Sequence, residues 1–284
     1  MTSPGGLADY LKARRERLQP EDVGIILDNR RRRVPGLRRE EIAILAGIST
    51  DYYLRLEQGH DVNPSVQVLD ALARALRLDP IAAHYLHGLA RPVVVHNDVD
   101  RDDKVQDSVR WLIDSWTSTS AVVHNRYLDI LASNNLARSL NPNYRPGVNS
   151  VLVLFTDPAE KVFHRNWERV AAHSVAQLRL VAGARRGDTR LDDLIAEGSA
   201  RSDQFREFWE RQDVAHIGNG RHELRHPQRG ELVVNYQRLS VTGTDGHSIF
   251  LYFALPGTTS ALEMRRLAAS GYDQQGQAGI VSPV

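Results

Sequence analysis

One stretch constrains the rest of this chain. It is Arg38–Gln58, where two helical periodicities meet at a glycine. Ile42, Leu45 and Ala46 recur at helical intervals and are expected to share one buried face. Ala43 is small where a second helix must cross closely. Gly47 permits the positive φ needed to leave a helix sharply. Ile48 plugs the turn, and Ser49 can cap the next helix. Tyr53 and Leu56 supply that helix's inward face. This is the spacing of a helix-turn-helix. Ser49, Thr50, Asp51, Tyr52 and Arg55 then occupy the positions a recognition helix presents to base edges. Arg55 can pair bidentately with guanine. Asp51 stands four residues before it, so an intrahelical salt bridge is the competing reading.

The flank supports the DNA reading. Arg30, Arg31, Arg32 and Arg33, then Arg38 and Arg39, form an arginine run broken by Pro35-Gly36. These are candidate phosphate or minor-groove contacts, set against the alternative of a solvated loop. The net charge of +1 hides this clustering. The chain has 284 residues and no cysteine. That length accommodates two domains. The missing cysteine excludes disulfides, thiolate metal sites and cysteine nucleophiles. No leader pattern opens the chain and no apolar run reaches spanning length, so a cytoplasmic protein without membrane contact is expected.

In order, residues 1–91 read as a helical DNA-binding domain and 92–106 as a charged linker after Arg91-Pro92. Val105–Trp116 reads as a helix that connects the halves or dimerises them. The pattern then changes. A hairpin around Asn125-Arg126 is followed by helices to Asp213 and three or four closing strands. Ile249, Leu251 and Phe253 point one way, Phe250 and Tyr252 the other, as in a strand covered on both faces. Residues 107–262 therefore read as an α+β domain on an antiparallel sheet, behind an all-α helix-turn-helix domain. Residues 263–284 read as a polar tail.

Within the second domain, Phe163, Trp167, Phe205, Phe208, Trp209, Tyr236 and Phe250 are candidates to line an apolar pocket. Asn134, His226 and Tyr236 are candidates to orient a ligand. Ordinary core packing is the competing reading for the aromatics. His84, His87 and His96 lack a placed carboxylate or cysteine and read as surface residues rather than a metal site. No nucleophile elbow, phosphate loop or dinucleotide fingerprint is present, and adjacent Asp192 and Asp193 point apart on a helix. No catalytic residue or metal site is assigned.

Several motifs together resemble a known family: Xre-type helix-turn-helix regulators with an MmyB-like ligand-binding domain, common in actinobacteria. They are Arg33-Val-Pro-Gly-Leu-Arg-Arg-Glu-Glu-Ile-Ala, Asp51-Tyr-Tyr-Leu-Arg-Leu-Glu-Gln-Gly59, Leu154-Phe-Thr-Asp-Pro158 and Arg225-His-Pro-Gln-Arg-Gly-Glu-Leu232. The resemblance covers roughly residues 7–262. It departs at Ser133, where a tryptophan is expected before Asn134. The resemblance implies a PAS-like second domain, a small apolar ligand of the fatty-acyl kind, no other cofactor, and a dimeric transcriptional regulator. The expected partners are a roughly palindromic double-stranded operator, the apolar ligand and a second copy of the chain. Repression is the expected sense. Two readings stay open beside it. In one, the second domain is a protein-interaction module without a ligand; in the other, it is an enzyme fused to a DNA reader.

Overall fold

Short polar side chains set the helix starts of the N-terminal half. Ser49, Ser65 and Asp79 accept hydrogen bonds from the backbone N–H groups of Tyr52, Val68 and Ala82, at 3.2, 3.3 and 2.8 Å. Each bond satisfies a donor that the first helical turn leaves without an intrahelical partner. The computed structural model describes residues 6–25, 34, 36–60, 63–91, 93–94, 103–183, 185–186, 188–215 and 218–278.

The elements follow in order. First come α1 (Leu7–Arg17), α2 (Arg39–Ala46), α3 (Thr50–Glu57), α4 (Val66–Ala75), α5 (Pro80–Ala90), β1 (Val93–Val94) and α6 (Asp107–Ser115). Next are β2 (Ser120–His124), β3 (Ile130–Ser133), α7 (Asn135–Leu140), α8 (Ser150–Thr156), α9 (Pro158–Phe163) and α10 (Trp167–Gly183). The last are β4 (Arg185–Arg186), α11 (Thr189–Arg201), α12 (Asp203–Glu210), β5 (Asn219–His226), β6 (Gly230–Ser240), β7 (Ser248–Phe253) and α13 (Thr259–Ala278). The chain divides into two units. One is Met1–Asn97 with Val175–Asp192 and Arg206–His216; the other is Asp98–Ser174, Asp193–Phe205 and Ile217–Val284.

In the first unit, Gly47 leaves α2 at φ +66°, and the N–H of Ile48 returns to the carbonyl of Ala43. Tyr10, Leu11, Leu37, Ile42, Tyr53 and Leu56 are fully buried. The expected inward face of α2 needs one correction. Ile42, Ala43 and Ala46 are buried, whereas Leu45 is 40% exposed and Ile44 77%. At about 100° per residue, Leu45 lies a quarter-turn or more off the centre of the Ile42–Ala43–Ala46 stripe. Gly36 is forced by contact: a Cβ there would stand 2.2 Å from the Glu16 carbonyl oxygen.

The second unit is built on a five-stranded antiparallel sheet in the order β3-β2-β7-β6-β5. Register pairs Gly220 with Tyr236, Tyr236 with Tyr252, and Phe250 with Val122. Alternation then places Val122, Gly220, His222, Tyr236, Phe250 and Tyr252 on one face. The opposite face carries Ala121, Val123 and Ile249, which pack with Val105 and Ile113.

Two expected boundaries shift. Within the span 92–106, Val93–Val94 pairs in parallel with Arg185–Arg186, and Val105 is a core residue. The tail expected from 263 begins inside α13, whose Met264 and Leu267 are buried against Leu136, Leu140 and Leu232. The apolar stripe of α13 is interrupted by Glu263, Arg265 and Arg266, which masks it in a linear reading. The expected strand at 214–217 is not formed at Val214–Ala215, and 216–217 lie outside the described residues.

Candidate functional site

The first candidate surface is the exposed side of α2 and α3. Thr50, Asp51 and Arg55 are exposed, and Tyr52 is half-buried. The Arg55 guanidinium lies 5.6 Å from the centre of the Tyr52 ring. Among the described residues, no ion pair ties Arg55 to Asp51. Ser49 is exposed, but its hydroxyl is engaged as the cap of α3. Arg38 is exposed, and its N–H donates to the Glu41 carboxylate at 2.7 Å. Arg39 is placed differently from the expectation of a free phosphate contact. Its Nε and Nη2 sit 3.0 and 2.9 Å from Glu57 Oε1, with the side chain 48% exposed. Arg30, Arg31, Arg32 and Arg33 lie outside the described residues.

The second candidate is a cavity of about 320 Å³ inside the second unit. Its floor is the sheet face carrying Val122, His222, Tyr236, Phe250 and Tyr252. Val151 and Leu154 of α8 and Val170 of α10 supply apolar walls. Tyr144, Glu160 and His164 make a polar end; Arg169, His173 and Arg221 also border the space.

The polar end is wired by hydrogen bonds. Glu160 Oε1 accepts from the side-chain amides of Asn141 and Asn143 at 2.9 and 2.8 Å, and its Oε2 lies 3.2 Å from His164 Nε2. Burial works to raise the Glu160 pKa. The hydrogen bond and charge of His164, with the two amides, outweigh it and hold the carboxyl below its ordinary range. His124 Nε2 lies 2.9 Å from Ser150 Oγ. Burial, then the charge of Arg238, pushes the His124 pKa down to about 3, against a weak opposing pull from Asp129. Burial, with His164, Arg169 and His173 nearby, does the same to His222. Tyr144 and Tyr252 face each other with hydroxyls 3.4 Å apart, and burial holds the Tyr144 phenol above its ordinary value.

Of the nine expected pocket residues, the structure brings Tyr236 and Phe250 to the cavity. The other seven stand elsewhere, each for a visible reason. Phe163 is buried in the sheet core, edge-on to Tyr144. Trp167 donates its indole N–H to the Leu154 carbonyl at 2.9 Å. Phe205 packs against Phe155 and fills the space a side chain on Gly198 would need. Phe208 lies under Arg211, and Trp209 under Arg179, in the first unit. Asn134 is spent on the backbone. Its Oδ1 accepts from Ala121 and Ala137, and its Nδ2 donates to Thr119 at 2.8 Å. His226 closes the β5–β6 turn, accepting from Gln228 and Arg229 at 3.2 Å.

Sequence reasoning missed His124, His164, His222, Glu160, Tyr144 and Tyr252. A signal existed for two of them. His124 and His222 are polar residues at inward strand positions, an uncommon placement for an imidazole without a task. His87 pairs with Asp70 at 2.9 Å on the surface, and His96 lies outside the described residues.

Comparison with known families adds two matches. The model described as the MmyB-like transcription regulator ligand binding domain matches residues 105–267, and a helix-turn-helix domain model matches residues 6–85. A search of curated proteins finds no match.

Proposed function

The chain belongs to the MmyB-like family of transcription regulators, with a helix-turn-helix domain ahead of the ligand-binding domain, and from that premise we propose that it is a ligand-responsive repressor. It binds a roughly palindromic operator as a homodimer in the cytoplasm, and it senses an apolar small molecule, with fatty-acyl compounds the first class to test. The observation that carries the sensing half is the cavity of about 320 Å³ within the matched span. A pocket of that order, with apolar walls and a few convergent polar groups, suits a small-molecule ligand. The same cavity favours a sensor over a protein-interaction module, which calls for a filled core.

Dimerisation follows from the reader's size. One short recognition helix contacts a few base pairs, and two-fold pairing of half-sites supplies the remaining specificity. Repression is the proposed sense because occupying a promoter needs no surface beyond the DNA-binding one. Ligand changes operator affinity only through unequal affinity for two arrangements of the recognition helices. Among the described residues, no helix is long and apolar enough to cross a membrane.

The test is selection of bound duplexes from a random pool by the full chain. Enrichment of inverted half-sites spaced about one helical turn, or a multiple of it, is expected. An unenriched pool overturns the reading of the α3 surface. Mass spectrometry of an organic extract of the purified protein tests the sensing half separately, and a stoichiometric small molecule, whatever its class, is its expected yield.

A further inference from the structure

The cavity floor is more aromatic than a saturated chain requires. Tyr236 and Phe250 stack with centroids 5.4 Å apart and planes 12° apart. Tyr144 and Tyr252 form a second parallel pair, at 5.9 Å and 2°. His222 lies 4.5 Å from Tyr236 and 5.8 Å from Tyr252. All five line the cavity. Gly220 explains the attitude of Tyr236. A Cβ there would stand 2.6 to 2.7 Å from the Tyr236 ring and hydroxyl, so the ring lies across the bare backbone of β5. No side chain at position 220 covers this ring, and it borders the open space. Ring faces stack on other planar π systems, whereas a methylene chain gains contact area alone. Rings serving only a core would be covered by side chains; these border open volume.

The polar observation is independent of the rings. Nδ1 of His124, His164 and His222 is buried and has no hydrogen-bond partner among the described residues, and all three residues line the cavity. A buried polar atom left in contact with methylene groups is costly. A hydroxyl both donates and accepts, so it satisfies an imidazole nitrogen in either tautomer. An ionised carboxylate only accepts, and it fails wherever the nitrogen offers a lone pair.

We propose that the cavity takes a planar, fused-ring aromatic molecule bearing hydroxyl groups, which stacks on Tyr236 and Phe250 and bonds the free imidazole nitrogens, in preference to a saturated acyl chain. This rests on the ligand-sensor reading above.

Isothermal titration of the full chain with three probes tests it: 1,2-dihydroxyanthraquinone, unsubstituted anthraquinone and palmitate. The dihydroxy compound is expected to bind one to one, about tenfold more tightly than either other probe, the scale of one net hydrogen bond. His222→Phe keeps a ring and removes the nitrogen, and it should narrow the gap between the two anthraquinones. Tyr236→Leu should weaken both anthraquinones by about fivefold and leave palmitate unchanged. That second variant decides the matter if a thermal melt shows His222→Phe unfolded. Palmitate binding as tightly as the dihydroxy compound, or more so, overturns the planar-ligand inference and leaves the sensor reading standing. Binding of none of the three overturns both.

Discussion

The guanidinium of Arg15 grips both oxygens of Glu57. Its Nε meets Oε2 and its Nη2 meets Oε1, each at 2.8 Å, and the two side chains are almost wholly buried. The third nitrogen donates to the Leu37 carbonyl at 2.8 Å. Arg15 lies on α1 and Glu57 ends α3, so this fork ties α3 to the first helix of its own domain. It also tethers Leu37, two residues before the start of α2. Arg39 adds a second cation to the same carboxylate from the solvent side. The orientation of α3, and so of Thr50, Asp51 and Arg55, depends on a charge pair that solvent hardly reaches.

Removing one member of that pair strands the other. Glu57→Ala is expected to destabilise the N-terminal unit by about 3–5 kcal/mol, read from urea denaturation. Arg39→Ala removes only the half-exposed partner and should cost at most about 1 kcal/mol. Equal losses from the two variants would show that the fork is not the dominant tie.

Acid should act on the two units over different ranges. Burial raises the Glu57 pKa, but the bonds and charges of Arg15 and Arg39 outweigh it and hold the carboxyl below its ordinary value. Its contribution is therefore full above about pH 4.3 and lost as pH falls through the lower folded value. His124 and His222 are depressed to about 3. Their neutral folded forms lose stability from about pH 6.5 downward, by up to about 1.4 kcal/mol per pH unit each. Denaturation series at pH 8 and 5.5 should show His222→Phe gaining on the parent protein at the lower pH. A difference that does not change with pH contradicts the assignment.

Much of this architecture is legible in local chemistry. Gly47, Ser49 and the Tyr53–Leu56 face each act through neighbours within a few residues, and all fall where periodicity and capping place them. The two-faced alternation of β7 is legible for the same reason. The pocket was not legible, because aromatic content does not distinguish a core ring from a lining one. Phe205 and Phe250 are the same residue type; only the fold sets one against Phe155 and the other against open space. Asn134 misled for a related reason: its polarity serves backbone groups across a strand–helix junction that a linear reading does not bring together.

Base readout and phosphate contact should separate by substitution. Arg55→Ala is expected to relax preference at particular operator positions, at about 1–3 kcal/mol for the preferred base. Arg31→Ala should weaken binding to all sequences alike and lower the slope of log K against log salt by about 0.9. Titrations of a selected operator and a scrambled duplex at several salt concentrations check both. Unchanged binding in both variants would move the DNA surface away from this face.

Asn134 supplies the last contrast, between a structural polar residue and a ligand contact. Its amide bonds Ala121 and Ala137 through Oδ1 and Thr119 through Nδ2, joining the start of β2 to the cap of α7. Asn134→Asp keeps the acceptor and loses the donor, leaving the Thr119 carbonyl facing a carboxylate in a buried setting. Its expected cost is about 2–3 kcal/mol of stability, seen as a lowered denaturation midpoint. Ligand affinity of the folded fraction should not change, since Asn134 does not border the apolar cavity. Intact stability with weakened ligand binding would return Asn134 to the pocket and require the cavity to extend past the α7 cap.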